Sequence, residues 1–167
     1  MPSSSRSSPE SVMAGISVGA RVPDFALPMT GGGTWRLKDA AGRKLVLYFY
    51  PRDLTSGCTR EAQDFRDLHG GFRKAGVLLA GVSRDPVASH EKFTARESLP
   101  FPLLADQEER LCKLFDVIKW KSLYGRKYLG VERSTFLLDG TGRLRQEWRK
   151  VKVPGHAEEV LEAARRL

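Results

Sequence analysis

The residues best suited to chemistry lie in one decapeptide, PRDLTSGCTR at 51–60, where Pro51, Thr55 and Cys58 stand at fixed intervals. Cysteine is scarce elsewhere: Cys112 is the only other one in the 167 residues. The stretch follows the apolar run LVLYFY (45–50) and precedes a helical pattern, so Cys58 is expected in the first turn of a helix. Unpaired N–H groups and the helix dipole stabilise an anion there, and the thiolate is the reactive form of cysteine. Pro51 ends the strand by withholding a ladder donor. Thr55, three residues before Cys58, can direct its hydroxyl at the sulfur or at whatever the sulfur attacks, and Gly57 leaves the approach open. The alternative is that Cys58 is a small buried apolar residue, as most free cysteines are. Ser56, Gly57, Thr59 and Arg60 are small or polar, which favours a reactive thiol at a loop-to-helix mouth.

The other candidate residues read as structural. Cys112 lies beside Leu111 on the apolar stripe of a helix, which favours inert packing, with a role as partner to Cys58 as the alternative. His69, His90 and His156 are scattered in polar helical text and are expected at the surface, with no metal cluster or cysteine-histidine dyad. Gly31 to Gly33 form a turn, because a phosphate loop would need a following helix and a lysine. Trp35, Trp120 and Trp148 lack the basic-aromatic interleaving of a stacking platform.

These residues need a frame, and the pattern supplies an α/β one. PDFALPMTGGGTWRL predicts a small β-hairpin. LVLYFY and VLLAGVS (77–83) read as strands covered on both faces. Between them Ala62, Phe65, Leu68 and Phe72 recur at helical spacing, with Gly70 and Gly71 weakening the helix and Gly76 closing it. Two such strands around a helix imply a right-handed parallel crossover. Asp85-Pro86 is expected to start a helix reaching about Ser98, and LPFPLLAD to hold a very short strand. Asp106 is expected to cap a helix with Glu109 three residues on, whose buried stripe is Leu111, Leu114, Phe115 and Ile118. STFLLD (134–139) and RLRQEWR (143–149) read as a hairpin, and GHAEEVLEAARRL as a terminal amphipathic helix. This is the element order of a thioredoxin-like fold with an N-terminal β-hairpin.

Composition agrees with one domain. Residues 1–13, rich in serine and proline, are expected to be a disordered tail, and 14–167 the folded unit, with Met13 as an alternative start. Two cysteines are too few for a disulfide scaffold, and no leader-like run is present, so a cytoplasmic protein with reduced thiols is expected. LVLYFY is too short to cross a bilayer. The formal charge is +8, with basic clusters at 119–133 and 143–152. A solvated basic face is the simpler reading, since no nucleic-acid-binding pattern accompanies it, and a nucleic-acid partner is not expected.

P-x-x-x-T-x-x-C after an apolar strand, here Pro51, Thr55 and Cys58, is similar to the peroxiredoxin signature. With GVSRDPVASHEKF, LPFPLLAD and VERSTFLLDGTGRLRQEW, residues 17–167 resemble the bacterioferritin comigratory protein or peroxiredoxin Q subfamily. The resemblance implies a thioredoxin fold and reduction of hydrogen peroxide and organic hydroperoxides to water and alcohols, without metal or organic cofactor. It implies that Cys58 is the peroxidatic cysteine, that Thr55 orients the peroxide, that Pro51 shields the site and that Arg133 supports the thiolate and the developing charge. It also leans towards a monomer.

The chain departs from the subfamily pattern in one respect. The positions where that pattern carries a second, resolving cysteine hold Gln63 and Thr94. A one-cysteine enzyme is therefore expected, its Cys58 sulfenic acid reduced by thioredoxin, by glutaredoxin with glutathione, or by another small thiol. Two other functions compete. A thiol-disulfide oxidoreductase would need a cysteine at Glu61, and a redox-sensing binding module would use the basic face.

Overall fold

The computed structural model describes residues 15–167. The expected tail at 1–13 and the start at Met13 lie outside the described residues. Before the core sheet comes the expected hairpin, β1 (Ala26–Pro28) with β2 (Thr34–Arg36). The core is built from β3 (Lys44–Phe49), β4 (Val77–Ser83), β5 (Leu103–Ala105), β8 (Ser134–Leu138) and β9 (Leu144–Trp148). Between β5 and β8 the chain forms β6 (Ile118–Leu123) and β7 (Arg126–Val131), which stand apart from this sheet. The five core strands lie in the order β5-β4-β3-β8-β9. β3, β4 and β5 run parallel, while β8 lies antiparallel to β3 and β9 antiparallel to β8. A bridge from Met29 to Leu104 ties the N-terminal hairpin to the sheet. This is the thioredoxin-like arrangement that the element order predicts.

Alternation along β3 divides the interior in two. Val46, Tyr48 and Tyr50 face one layer with Cys58, Phe65, Phe72 and Phe93. Leu45, Leu47 and Phe49 face the other with Cys112, Phe115 and Phe136. The first layer is covered by α1 (Ser56–Asp67), α2 (His69–Lys74), α3 (Val87–Glu97) and α5 (His156–Arg166), and α4 (Arg110–Leu114) contributes to the second. β3 and β4 are therefore buried on both faces, which is why their sequences read as unbroken apolar runs.

Several local expectations are corrected. The helix after β3 breaks at Leu68, before the glycine pair, and Gly70 and Gly71 lie inside α2. A Cβ at Gly71 would come within 3.0 Å of Leu161 on α5, so this glycine serves helix packing. α3 begins at Val87 with Pro86 in the capping position, and Asp85 does not cap it. α4 is a short turn with Ile118 outside it, although Asp106 does bind its start, accepting from the N–H groups of Leu111 (3.1 Å) and Cys112 (2.7 Å). His90 and His156 are buried, against the surface placement expected for them. Burial pushes His156 down to about 4, and its Nε2 lies 2.7 Å from Thr135 Oγ1.

The basic stretch 119–133 conceals an element that charge alone did not reveal. β6 and β7 form a separate antiparallel hairpin that exposes Trp120, Leu123, Tyr124, Tyr128 and Leu129. No helix among the described residues is long and apolar enough to cross a membrane.

Gly81 is where the sheet tolerates least addition. A Cβ there would lie 2.8 Å from Leu103 Cδ2 and 2.9 Å from Tyr48 Cζ. Gly81→Ala is expected to lower the unfolding free energy by about 1–3 kcal/mol in a denaturant titration, as overpacking of a filled core does.

Candidate active site

Cys58 stands where three consequences of the sheet meet. The loop 50–55 leaves the C-terminal end of β3, the usual side for ligand sites in an open α/β sheet. α1 then starts with Thr55 as its N-cap in an extended conformation, so Cys58 falls in the first turn, as the sequence predicts. β8 runs antiparallel to β3 with Ser134 opposite Phe49, so the residue before β8, Arg133, is delivered to the same end of the sheet.

The side chains converge accordingly. Cys58 is 1% exposed. The Arg133 guanidinium places Nη2 3.5 Å from Cys58 Sγ and donates from Nη1 to Glu61 Oε1 at 2.6 Å. Glu61, one helical turn after Cys58, is itself 1% exposed, and its Oε2 has no hydrogen-bond donor among the described residues. Burial pushes the Glu61 carboxyl up to about 7 even though Arg133 pulls it down. Burial alone would weaken the hold of Arg133 on its proton, but Glu61 and Cys58 reverse this and raise it, so the guanidinium stays charged. Gly57 makes room for the approach: a Cβ there would lie 3.1 Å from Arg133 Nη2. Lys121 of β6 feels the same centre, since burial first and Arg133 next pull its pKa below the ordinary lysine value.

Thr55 is exposed and donates its hydroxyl to the carbonyl of Arg52 at 2.9 Å, which leaves the hydroxyl oxygen free to accept. Pro51 is half-buried, and Leu54 holds a left-handed φ of 67°. Thus Pro51, Thr55, Cys58 and Arg133 share one end of the sheet. Glu61, whose side chain aligns Arg133, stands out in the sequence only as a position lacking cysteine. Its spacing of three from Cys58 is the available signal.

Cys112 does not join them. It is fully buried in the opposite layer, and burial, reinforced by Asp106, holds its thiol far above the ordinary range. The sheet separates the two sulfurs, and both are free thiols. Gln63 donates to Glu97 at 2.9 Å, tying α1 to α3, and Thr94 is on α3.

A buried cysteine at a helix start, with a guanidinium against its sulfur on a thioredoxin-like sheet, defines a thiol-based redox protein. The AhpC/TSA family model matches residues 18–147, and the chain belongs to that family. It is 53% identical over 140 residues to peroxiredoxin Bcp of Xanthomonas campestris pv. campestris, covering 84% of this chain and 88% of that one. It is 49% identical over 147 residues to peroxiredoxin Bcp of Bacillus subtilis, covering 88% and 94%. Among solved structures, the X. campestris bacterioferritin comigratory protein, described for its alkyl peroxide reduction activity in trapped intermediate/ligand complexes, superposes with a TM-score of 0.82. That match is 46% identical and covers 95% of this chain and 94% of the other. The activity of the chain is that of a thiol-dependent peroxidase.

The raised Glu61 carboxyl gives a stability test. The native state holds this proton more tightly than the unfolded chain, so its contribution is complete below the ordinary value of 4.5 and is lost as pH rises through about 7. The stability difference between wild type and Glu61→Gln is expected to fall by roughly 3 kcal/mol across that window in urea unfolding at successive pH values.

Proposed function

We propose that Cys58 is the peroxidatic nucleophile and that it reduces hydrogen peroxide and alkyl hydroperoxides, with an outside thiol completing the cycle. The observation that carries this reading is the 3.5 Å approach of Arg133 Nη2 to Cys58 Sγ at the start of α1. The thiolate attacks the terminal peroxide oxygen: an S–O bond forms, the O–O bond breaks, and the departing oxygen takes a proton to leave as alcohol or water. Cysteine sulfur is oxidised to sulfenic acid. Arg133 then faces the place where negative charge gathers, Thr55 offers its hydroxyl to the peroxide, and Pro51 keeps bulk water from the thiolate.

The sulfenic acid is condensed with an external thiol, releasing water and forming a mixed disulfide, and a second thiol displaces Cys58 as a thiolate. Two thiols are thus oxidised to one disulfide for each peroxide reduced. The separation of Cys58 and Cys112 by the sheet supports an external route, and thioredoxin or glutaredoxin with glutathione fits it. Two free thiols accord with a reducing cytoplasm, and the resemblance to the bacterioferritin comigratory protein subfamily leans towards a monomer. The resemblance of the chain to an enzyme described for alkyl peroxide reduction supports the substrate class.

Stopped-flow oxidation by hydrogen peroxide and cumene hydroperoxide tests the assignment. Cys58→Ser is expected to abolish rapid oxidation; oxidation persisting at the wild-type rate would overturn it. Arg133→Lys keeps the charge but loses the fork and is expected to cost about 100-fold in the second-order rate constant. Cys112→Ser is expected to leave turnover with dithiothreitol intact; loss of turnover would make Cys112 a resolver.

A further inference from the structure

The loop that carries Pro51 and Thr55 is fastened by a buried polar cluster that the peroxidase chemistry does not use. Asp53, in the middle of this loop, is buried and lies 2.7 Å through Oδ2 from His90 Nδ1, on α3. The same oxygen accepts from Ser89 Oγ at 2.8 Å, and Oδ1 accepts from the Tyr50 hydroxyl at 2.6 Å. The backbone N–H of Asp53 donates to Asp85 Oδ2 at 2.8 Å, which also accepts from Ser83 Oγ at 2.7 Å. Asp85, expected to cap α3, instead secures the loop.

Proton counting identifies the central contact. His90 Nε2 lies 3.0 Å from the Leu104 carbonyl, an oxygen that can only accept, so Nε2 carries a hydrogen. Nδ1 faces a carboxylate oxygen, so this contact also needs a proton on its axis. Tyr50 does not supply it: its hydroxyl is 2.6 Å from Asp53 Oδ1 and 3.4 Å from His90 Nδ1, and its hydrogen goes to the nearer carboxylate. Asp53, Asp85 and His90 have a spacing that could suit a cation. The facing atoms of Asp53 and His90 are already committed to each other, which favours a proton over a metal there.

Cys58 is too buried for a thiol of any bulk to reach bonding distance of its sulfur, whereas a peroxide is small. Reduction of the oxidised sulfur therefore requires the loop and the first turn of α1 to open. Leu54, a branched residue at φ 67°, is strained and keeps that conformation only while its neighbours are fixed. We infer that the buried Asp53–His90 pair is a positioning element: it holds the Pro51–Thr55 loop in the closed form that peroxide attack needs and opposes the opening that thiol reduction needs. Such a role rests on the assignment of Cys58 as the peroxidatic nucleophile.

The two half-reactions separate this role from general support of the fold. In stopped-flow measurements, His90→Gln is expected to slow oxidation of Cys58 by hydrogen peroxide by about 10- to 100-fold, as misplacement of a reacting geometry does. The same variant is expected to be reduced by dithiothreitol faster than wild type once oxidised, because the open form is more populated. Ser89→Ala, which removes one donor from Asp53, is expected to move both rates in the same directions by less, and it keeps the test available if His90→Gln does not fold. Slowing of both half-reactions together, or no change in either, would overturn the inference. The control is Cys58→Ser: rapid oxidation surviving in that variant would remove the assignment of Cys58 itself, whatever His90 does.

Discussion

One guanidinium, that of Arg133, connects the Cys58 sulfur with the interior. It lies against Cys58 Sγ through Nη2 and is fixed through Nη1 by a carboxylate that is itself almost wholly buried. A buried charge without its partner is expensive, so Arg133 is what favours the ionised form of Glu61 at its position on α1, and Arg133 is held in place by the same bond. The pairing also explains the small residue beside Cys58: Gly57 yields the volume that the guanidinium fills, and a larger residue there would push it from the sulfur.

Topology turns that contact into a site. Cys58 belongs to a helix that leaves the end of β3, whereas Arg133 comes from a segment 75 residues later that enters β8. They meet because β8 lies antiparallel beside β3, which places the start of one at the end of the other. The same sheet keeps Cys112 in the opposite layer. The β4-to-α3 connection supplies the third support, since Asp85, Ser89 and His90 converge on Asp53 in the loop between β3 and α1.

Much of the frame was legible because it follows from local periodicity. The runs at 45–50 and 77–83 could only be strands buried on both faces, and the order of the elements fixed the fold class. Cys58 was legible from its position between a strand and a helix. Arg133 was not, since an arginine before a strand looks like any surface residue until the chain brings it to Cys58; only resemblance marked it. His90 and His156 were misjudged, and Glu61 drew no structural reading at all, for one reason: polar residues in helical text suggest solvent, and their burial depends on partners distant in sequence. The β6–β7 hairpin was hidden because its basic residues mask the alternation, and its exposed aromatics do not face a core.

If Arg133 is the link between the interior and the sulfur, Glu61 acts on Cys58 through it. The most direct measurement is a double-mutant cycle on the rate constant for oxidation of Cys58 by hydrogen peroxide, using Glu61→Gln, Arg133→Gln and the combined variant. A coupling of about 1–3 kcal/mol is expected, because the carboxylate has nothing to align once the guanidinium is gone. Effects that add to within about 0.5 kcal/mol would contradict this and show that the two residues act on Cys58 independently.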